Sequence, residues 1–182
     1  MHAWLWLVAS LVEGRPDSPV RVVIYEDLQC PDCAAFRVMM DQNLLPKYRS
    51  KVAFVHRDFP LARHSWARKG AIAARHFEEI GAEYGVAFRR HILASIKETT
   101  SENLPGRVAT FARQNATDAV KARAALEDAR LAALVEKDFQ DGVARGVSRT
   151  PTVFVNGKPF IETFSVEEIS KAIDDALAQA AP

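Results

Sequence analysis

The two cysteines of the chain, Cys30 and Cys33, are separated by only two residues, Pro31 and Asp32. Two cysteines placed at random in a chain of this length would have that separation about one time in a hundred, so the spacing needs a chemical reason. A thiol at a helix N-terminus has its thiolate stabilised by unpaired backbone N–H groups and the helix dipole, and a second thiol one turn later can form a disulfide with it. Pro31 suits a helix start because proline is favoured at the first helical position. The spacing therefore favours a redox pair.

Two other interpretations of the cysteine pair remain open at this point. A Cys-x-x-Cys segment supplies half of a tetrahedral zinc site, but the chain contains no third cysteine. No two of its histidines have the three-to-five-residue spacing of a zinc finger; they are His2, His56, His64, His76 and His91. Both cysteines can also be small buried hydrophobic residues without chemistry. Redox chemistry is our prediction, and we expect no metal.

The composition predicts one globular domain, residues 1–182, without a preferred class of charged partner. Hydrophobic residues make up 48% of the chain and charged residues 26%, which is ordinary for a globular protein. Lysine and arginine number 24 against 23 aspartate and glutamate, a formal net charge of +1. No run of like charge indicates a nucleic-acid or membrane surface. We therefore expect no nucleic-acid partner.

The first twelve residues are apolar but too short to cross a bilayer. They lack a basic start, and Val8-Ala9-Ser10 is only a weak signal-peptidase site. Two interpretations follow: residues 1–12 are the remnant of a secretory signal, or residues 4–8 form a strand added to the sheet. We predict the strand, which leaves the cellular compartment undecided.

The elements that must position the cysteines form a strand–helix–strand unit. The β-branched and aromatic run Val20–Tyr25 predicts a buried strand, and Lys51–His56 predicts a second. Between them, the apolar spacing predicts a helix that begins near Pro31 and meets Pro46 near its end. A right-handed parallel unit of this kind places the cysteines at the C-terminal edge of its first strand, where such sheets carry their chemistry.

The remaining chain is first helical and then returns to β structure. Between residues 63 and 148 the pattern predicts five helices, at 64–80, 83–97, 104–114, 118–129 and 131–146. Asn156-Gly157 is a strong hairpin-turn signal between the strands 152–155 and 158–161. Ser165 and Glu168 form a capping box at the start of a last helix.

Four segments together make the chain resemble the DsbA-like thiol-disulfide oxidoreductases of the thioredoxin superfamily. They are Pro16-Asp17-Ser18-Pro19-Val20, Cys30-Pro31-Asp32-Cys33, Arg57-Asp58-Phe59-Pro60-Leu61 and Gly146-Val147-Ser148-Arg149-Thr150-Pro151-Thr152-Val153-Phe154-Val155-Asn156-Gly157. The resemblance covers nearly the whole chain after the first fifteen residues. It implies an α/β thioredoxin fold, with a central mixed sheet flanked by helices. Its parts, residues 18–62 and 149–182, are interrupted by an all-helical insertion, residues 63–148.

The resemblance also implies a role for each active-site residue. Cys30 is the nucleophile, Cys33 the resolving thiol, and Thr150-Pro151 the cis-proline loop that faces the pair and binds substrate. We expect Cys30, just before the helix, to be the exposed sulfur and Cys33 to be buried. Proline is the residue before which a cis bond is readily available. We expect the backbone of Thr150 to be free to pair with an extended substrate peptide.

The sequence departs from the family at two places. Relatives commonly carry a buried acid six residues before the first cysteine, where this chain has Ile24. Glu26, on the same side of the strand, or the adjacent Asp27 is then the candidate for a proton relay. The second departure is Asp32, whose carboxylate is expected to oppose the Cys30 thiolate. The positive charge of Arg149 would offset part of this effect if Arg149 faces the thiols.

The function implied is exchange of disulfides with cysteine-containing proteins or peptides, in the direction of disulfide formation, without a metal or organic cofactor. The first alternative is a reductase or isomerase, suggested by the acidic dipeptide Pro31-Asp32 between the cysteines and by Thr150 before the cis-proline. The second is a thioredoxin-fold binding module or chaperone with little redox activity. The resemblance further implies a monomer in the periplasm or cell exterior that is served by a membrane oxidase or reductase.

Overall fold

The computed structural model describes residues 10–180. Its centre is a five-stranded mixed sheet with the strand order β1-β3-β2-β4-β5. The strands are β1 (Val12–Gly14), β2 (Arg21–Glu26), β3 (Ala53–Asp58), β4 (Thr152–Val155) and β5 (Lys158–Ile161). The strand predicted at residues 4–8 lies outside the described residues.

The two predicted core strands pair in parallel, and Ile24 of β2 lies opposite His56 of β3. A parallel pair needs a crossover connection, and the chain supplies it as a helix, as predicted. β1 pairs antiparallel with β3, and β4 pairs antiparallel with β2. The predicted fold class, a mixed sheet flanked by helices, is confirmed.

The crossover helix is interrupted near its end. α1 (Pro31–Met39) runs into a widened π-helical segment, Met40–Leu44, and then into α2 (Leu45–Tyr48). Pro46 lies in the first turn of α2 and has no N–H to donate, so the regular helical hydrogen bonding cannot run through it. The prediction that the helix pattern meets Pro46 near its end agrees with this break.

Helices fill the region between β3 and β4, and most of their predicted limits agree with the structure. They are α3 (Ala67–Ile80), α4 (Ala82–Ala94), α5 (Leu104–Gln114), α6 (Ala119–Ala124) and α7 (Ala129–Ala144). The first begins three residues later than predicted. The reason is tertiary: the Trp66 N–H donates to Gln29 Oε1 at 2.8 Å and Leu61 N–H donates to Asp27 Oδ2 at 2.7 Å, which ties this stretch to the segment before the cysteines.

The C-terminal motifs form as predicted. Asn156 and Gly157 both have positive φ, 43° and 90°, as a tight hairpin turn requires. The last helix, α8 (Val166–Ala180), begins with the capping box: Ser165 N–H donates to Glu168 Oε2 at 2.7 Å, and Glu168 N–H donates to Ser165 Oγ at 3.2 Å.

Two hydrophobic clusters make up most of the core, and the cysteines belong to the second. One lies between the sheet and helices α1 and α8 and contains Val22, Ile24 and Ile173. The other belongs to the helical region and contains Phe77 and Phe88 together with both cysteines. The redox pair, at the start of α1, therefore packs against the helical region between β3 and β4. None of the helices within residues 10–180 is long and apolar enough to cross a membrane.

Candidate active site

Cys30 is the residue that caps the N-terminus of α1. Its backbone is extended (φ −85°, ψ 123°), its carbonyl accepts the Ala34 N–H at 3.1 Å, and Pro31 occupies the first turn. Cys33 follows one turn later, and both cysteines are free thiols. The predicted placement of the pair at a helix start, directly after the first core strand, is what the structure shows.

The expectation that Cys30 is the exposed sulfur is wrong for this state of the protein. Cys30 and Cys33 are each 1% exposed. The Cys30 thiol donates to the carbonyl oxygen of Thr150 at 3.4 Å, and both Thr150 and Pro151 are buried. The loop before β4 therefore covers the sulfur, which no pattern local to the cysteines indicates.

The environment separates the acidities of the two thiols. The hydrogen bond from the Cys33 thiol lowers the pKa of Cys30 to about 6, against burial, and the backbone N–H groups of Cys33 and Asp32 lower it further. Burial raises the pKa of Cys33 well above its ordinary value, and Cys30 and the charge of Glu26 add to this. Of the two thiols of the reduced site, Cys30 is therefore the one that loses its proton first, and Cys33 is the one that keeps it.

The Thr150–Pro151 peptide bond is cis. The Pro151 carbonyl already accepts the Glu162 N–H at 2.9 Å, and the Thr150 carbonyl accepts the Cys30 thiol. Thr150 Oγ1 is buried with no hydrogen-bond partner in the part of the chain that the structure describes. The loop faces the cysteines as expected, but the carbonyl that we expected to be free is occupied by the redox thiol.

A shallow groove of about 160 Å³ runs beside the cysteines. It is lined by Asp32, Ala35, Phe36, Met39, Pro151, Glu162, Thr163 and Phe164. At its rim Arg149, whose side chain is 64% exposed, donates to Glu162 Oε2 at 2.7 Å. The structure thus engages Arg149 with Glu162, so the expectation that it tunes the thiols gains no support.

Glu26 and Asp27, the two predicted relay candidates, are both buried but differ in their contacts. Glu26 Oε1 accepts from Arg89 Nη1 at 3.0 Å and lies 2.8 Å from His56 Nδ1. The Asp27 carboxylate accepts hydrogen bonds from the backbone N–H groups of Gln29 and Leu61, and its Oδ2 lies 2.8 Å from His64 Nδ1. The Asp27 backbone N–H donates to Cys33 Sγ at 3.4 Å. Asp27 therefore holds the loops around the site, while Glu26 faces other ionisable groups.

Three residues of this site were not found from the sequence: His56, Glu13 and Arg89. His56 is fully buried on β3, Arg89 is 1% exposed on α4, and the Glu13 side chain on β1 is 9% exposed. A histidine inside the strand pattern Phe54-Val55-His56 was a signal of a buried polar group, but its partners are far away in sequence. Ile24 is buried in the hydrophobic cluster, and the β2 acid whose charge acts on Cys33 is Glu26. Across residues 10–180, no three His, Cys, Asp or Glu side chains are arranged to hold a metal ion.

The thioredoxin family model matches residues 7–175 of the chain. Among curated proteins, the chain is 33% identical over 170 residues to the Na(+)/H(+) antiporter NhaA 3 of Salinispora tropica. The aligned region covers 93% of this chain and 25% of the antiporter. The chain thus spans about a quarter of the length of that relative. It is also 25% identical over 174 residues to disulfide bond formation protein D of Bacillus subtilis, covering 91% of this chain and 76% of that protein.

Among solved structures, alpha-DsbA1 of Wolbachia pipientis superposes with a TM-score of 0.82 and 19% sequence identity, covering 96% of this chain and 94% of that one. At that identity the likeness concerns the fold. It includes the helical region between β3 and β4 as well as the sheet.

Proposed function

The chain belongs to the thioredoxin family, and from that premise we propose that it is a DsbA-like thiol-disulfide oxidoreductase that exchanges disulfides with cysteine-containing proteins. One observation carries the proposal: Cys30 occupies the N-cap position of α1 and has its pKa lowered to about 6, beside a second thiol, Cys33, whose pKa is raised. A low-pKa thiol beside a resolving thiol is the arrangement that thiol-disulfide exchange needs.

In this proposal Cys30 is the nucleophile and Cys33 the resolving thiol. A substrate thiolate attacks Cys30 of the oxidised pair, Cys33 leaves, and a mixed disulfide forms; a second substrate thiol then releases the oxidised product. The reverse sequence reduces a substrate disulfide. The Thr150–Pro151 loop moves off Cys30 to admit the substrate, whose chain then takes the place that the thiol holds at the Thr150 carbonyl.

The proposed direction is disulfide formation, supported by the lowered pKa of Cys30. Stabilising the thiolate stabilises the reduced pair, and a couple with a stable reduced form is an oxidant. Residues 18–62 and 149–182 carry the chemistry in this proposal, while the insertion 63–148 covers the buried side of the pair. A membrane oxidase that restores the disulfide, and a periplasmic or extracytoplasmic location, complete the proposal.

Trapping of mixed disulfides tests the assignment of the two thiols. Cys33→Ser should accumulate mixed disulfides with protein thiols, because the internal thiol that ends the complex has been removed. Cys30→Ser, the matched control with one thiol remaining, should accumulate none. Non-reducing gels of both variants after acid quenching give the result. Equal trapping by the two variants would contradict the assignment of Cys30 as the nucleophile and Cys33 as the resolving thiol. No trapping by either variant would favour a binding module with little redox activity.

A further inference from the structure

His56 lies between two carboxylates in the middle of the sheet. Its Nδ1 is 2.8 Å from Glu26 Oε1 on β2, and its Nε2 is 2.9 Å from Glu13 Oε1 on β1. The imidazole is fully buried, and the two carboxylate side chains are 3% and 9% exposed. Each ring nitrogen therefore has a carboxylate as its hydrogen-bond partner rather than water.

This geometry fixes the number of protons that the three side chains share. An ionised carboxylate can only accept hydrogen bonds, and a neutral imidazole carries one N–H. A neutral imidazole between two ionised carboxylates could make only one of the two short contacts as a hydrogen bond. Both contacts can be hydrogen bonds only if the three side chains together carry one additional proton. Burial opposes a charge on His56, but Glu26 and Glu13 raise its pKa, so the additional proton resides on the ring.

One end of this group adjoins the segment that contacts the redox pair. Glu26 is the last residue of β2, and the backbone N–H of the next residue, Asp27, donates to Cys33 Sγ at 3.4 Å. The charge of Glu26 is one of the causes that raise the pKa of Cys33. The hydrogen bonds from His56 and Arg89 both go to Oε1, so a proton accepted at Oε2 would leave both in place.

The other end reaches a surface cavity beside β1, the edge strand of the sheet. Glu13 lines this cavity of about 590 Å³, together with Asp41 of the π-helical segment and Arg90 of α4. Arg90 Nη2 donates to Glu13 Oε2 at 3.1 Å, and Arg37 of α1 pairs with both Glu13 and Asp41. Glu13 therefore connects the buried imidazole with a place that water enters.

The remaining charges around the group are accounted for. Arg89, on the Glu26 side, also pairs with Asp58 and Glu78. Despite burial, the pKa of Glu26 is lowered by His56 and Arg89 and that of Glu13 by His56 and Arg37. These shifts favour the ionised form of both carboxylates, which leaves His56 as the group with the exchangeable proton.

We propose that Glu13 and His56 are positioning residues through which Cys33 exchanges its proton, by way of Glu26, with water in the cavity beside the edge strand β1. This inference rests on the proposed function, because it concerns the step in which Cys33 reacts.

The step balances in protons and electrons. When Cys33 resolves a mixed disulfide, its S–H bond breaks and the proton goes to Glu26. Its sulfur forms a bond with Cys30 Sγ, and the substrate sulfur leaves as a thiolate with the electron pair of the broken S–S bond. His56 then releases its Nε2 proton through Glu13 to water, so the net charge of the three side chains is unchanged. When the Cys30–Cys33 bond is opened by a substrate, each transfer runs backwards and the leaving Cys33 thiolate takes its proton from Glu26.

Glu13→Gln tests the outer end of this path, with Asp41→Asn as the matched control. Both residues line the same cavity and pair with Arg37 and Arg90, but only Glu13 contacts His56. Removing a negative charge would by itself favour the Cys33 thiolate and speed the resolving step. A glutamine cannot accept the Nε2 proton, so the relay predicts the opposite, a resolving step at least about tenfold slower.

The measurement is the release of glutathione from Cys30 after reduced protein is mixed with glutathione disulfide, followed against pH, with alkylation of Cys30 as the reference reaction. We expect Glu13→Gln to slow the release and change its pH profile, and Asp41→Asn to do neither. Release from Glu13→Gln at or above the wild-type rate across the pH range would overturn the relay. If the wild-type protein itself releases no glutathione, the proposed function fails, which is a different result.

A measurement on the unaltered protein keeps the proposal testable if Glu13→Gln does not fold. Nitrogen NMR of the His56 ring in the reduced protein at neutral pH should show both ring nitrogens protonated, because both face ionised carboxylates. A ring with one proton would contradict the shared-proton arrangement on which the relay depends.

Discussion

At the scale of single residues, the largest contribution to the acidity of Cys30 comes from the Cys33 thiol, within the first turn of α1. The Cys33 thiol and the backbone N–H groups of Cys33 and Asp32 all favour the thiolate. The Asp32 side chain is exposed, at the position between the two cysteines. Its carboxylate is the charged side chain within the redox motif, and we predict that it opposes the Cys30 thiolate.

Asp32→His should lower the pKa of Cys30 below about 6 and make the pair a stronger oxidant. If the Asp32 charge acts on the sulfur from an assumed distance of about 6 Å, at an effective dielectric of about 40, it opposes the thiolate by about 1.4 kcal/mol, or one pKa unit. Each 1.4 kcal/mol corresponds to about 30 mV of reduction potential. Thiolate absorbance against pH and equilibration in glutathione buffers give the two quantities.

Asp32→Asn is the control for this substitution because it removes the charge without adding an imidazole. Asp32→Asn should lower the pKa of Cys30 by about one unit, and a protonated histidine at this position should lower it somewhat more. An unchanged pKa and potential in both variants would show that the charge of Asp32 plays no part in setting the acidity of Cys30.

At the scale of elements, α7 packs against the sheet through a close contact at Gly142. A Cβ added at Gly142 would lie 2.7 Å from ring carbons of Phe59 and 3.0 Å from a ring carbon of Tyr25. Phe59 cannot easily move away, because it stacks on Phe139 at 4.6 Å between ring centroids. The absence of a side chain therefore lets the helix approach the end of β3.

Gly142→Ala should destabilise the protein by about 1–3 kcal/mol, because the inserted methyl group overpacks this contact. Gly106→Ala is the matched control: it also lies in a helix, α5, but an added Cβ would meet nothing within 4 Å. Alanine there should be neutral or stabilise by up to about 1 kcal/mol through its higher helix propensity. Urea unfolding of both variants measures the free energies. Equal effects at the two positions would mean that α7 can move away from the sheet at little cost.

At the scale of the whole molecule, buried ion pairs connect the sheet with the helices between β3 and β4. Arg89 joins Glu26 and Asp58 to Glu78, and Arg75 joins Asp58 to Asp138 on α7. Removing one member of such a network leaves an uncompensated buried charge, which is strongly destabilising. The network therefore couples the position of the helices to the charge state beneath the active site.

Stability should depend on pH in two opposite ways. Despite burial, Arg75 and Arg89 lower the pKa of Asp58, and His56 and Arg89 lower that of Glu26. Their stabilisation is present above the unfolded carboxyl pKa values of about 4 and is lost as the pH falls through the lower folded values. The pKa of His56 is raised, so its stabilisation is complete below the unfolded value of about 6.5 and is lost as the pH rises through the folded value.

The free energy of unfolding should therefore be largest in the mildly acidic range between these limits. Urea unfolding of the oxidised protein, in which neither thiol titrates, measures it across the pH scale. The control is Asp174→Asn, which breaks the exposed Lys47–Asp174 pair and should leave both limbs of the profile in place. A stability that does not change with pH would show that the buried groups keep their ordinary pKa values.

Several features were determined by the sequence because they depend on neighbours within a few residues. The placement of Cys30 at a helix N-terminus follows from Pro31 and the apolar spacing after it. The Asn156-Gly157 hairpin follows from two residues that tolerate positive φ, and the start of α8 follows from the Ser165–Glu168 exchange of hydrogen bonds. Local steric and hydrogen-bonding preferences act before any tertiary contact forms, so these patterns can be recognised directly.

Other features were decided only by the tertiary structure. Cys30 is covered by a carbonyl 120 positions away, and the Arg89 partner of Glu26 is 63 positions away. A buried charge has no preferred partner in the local sequence; it takes whichever opposite charge the packed elements bring to it, because leaving it unpaired costs more than any local preference supplies. His56 therefore appears from the sequence as one polar residue in a strand, and only the pairing of β1, β2 and β3 places it between Glu13 and Glu26.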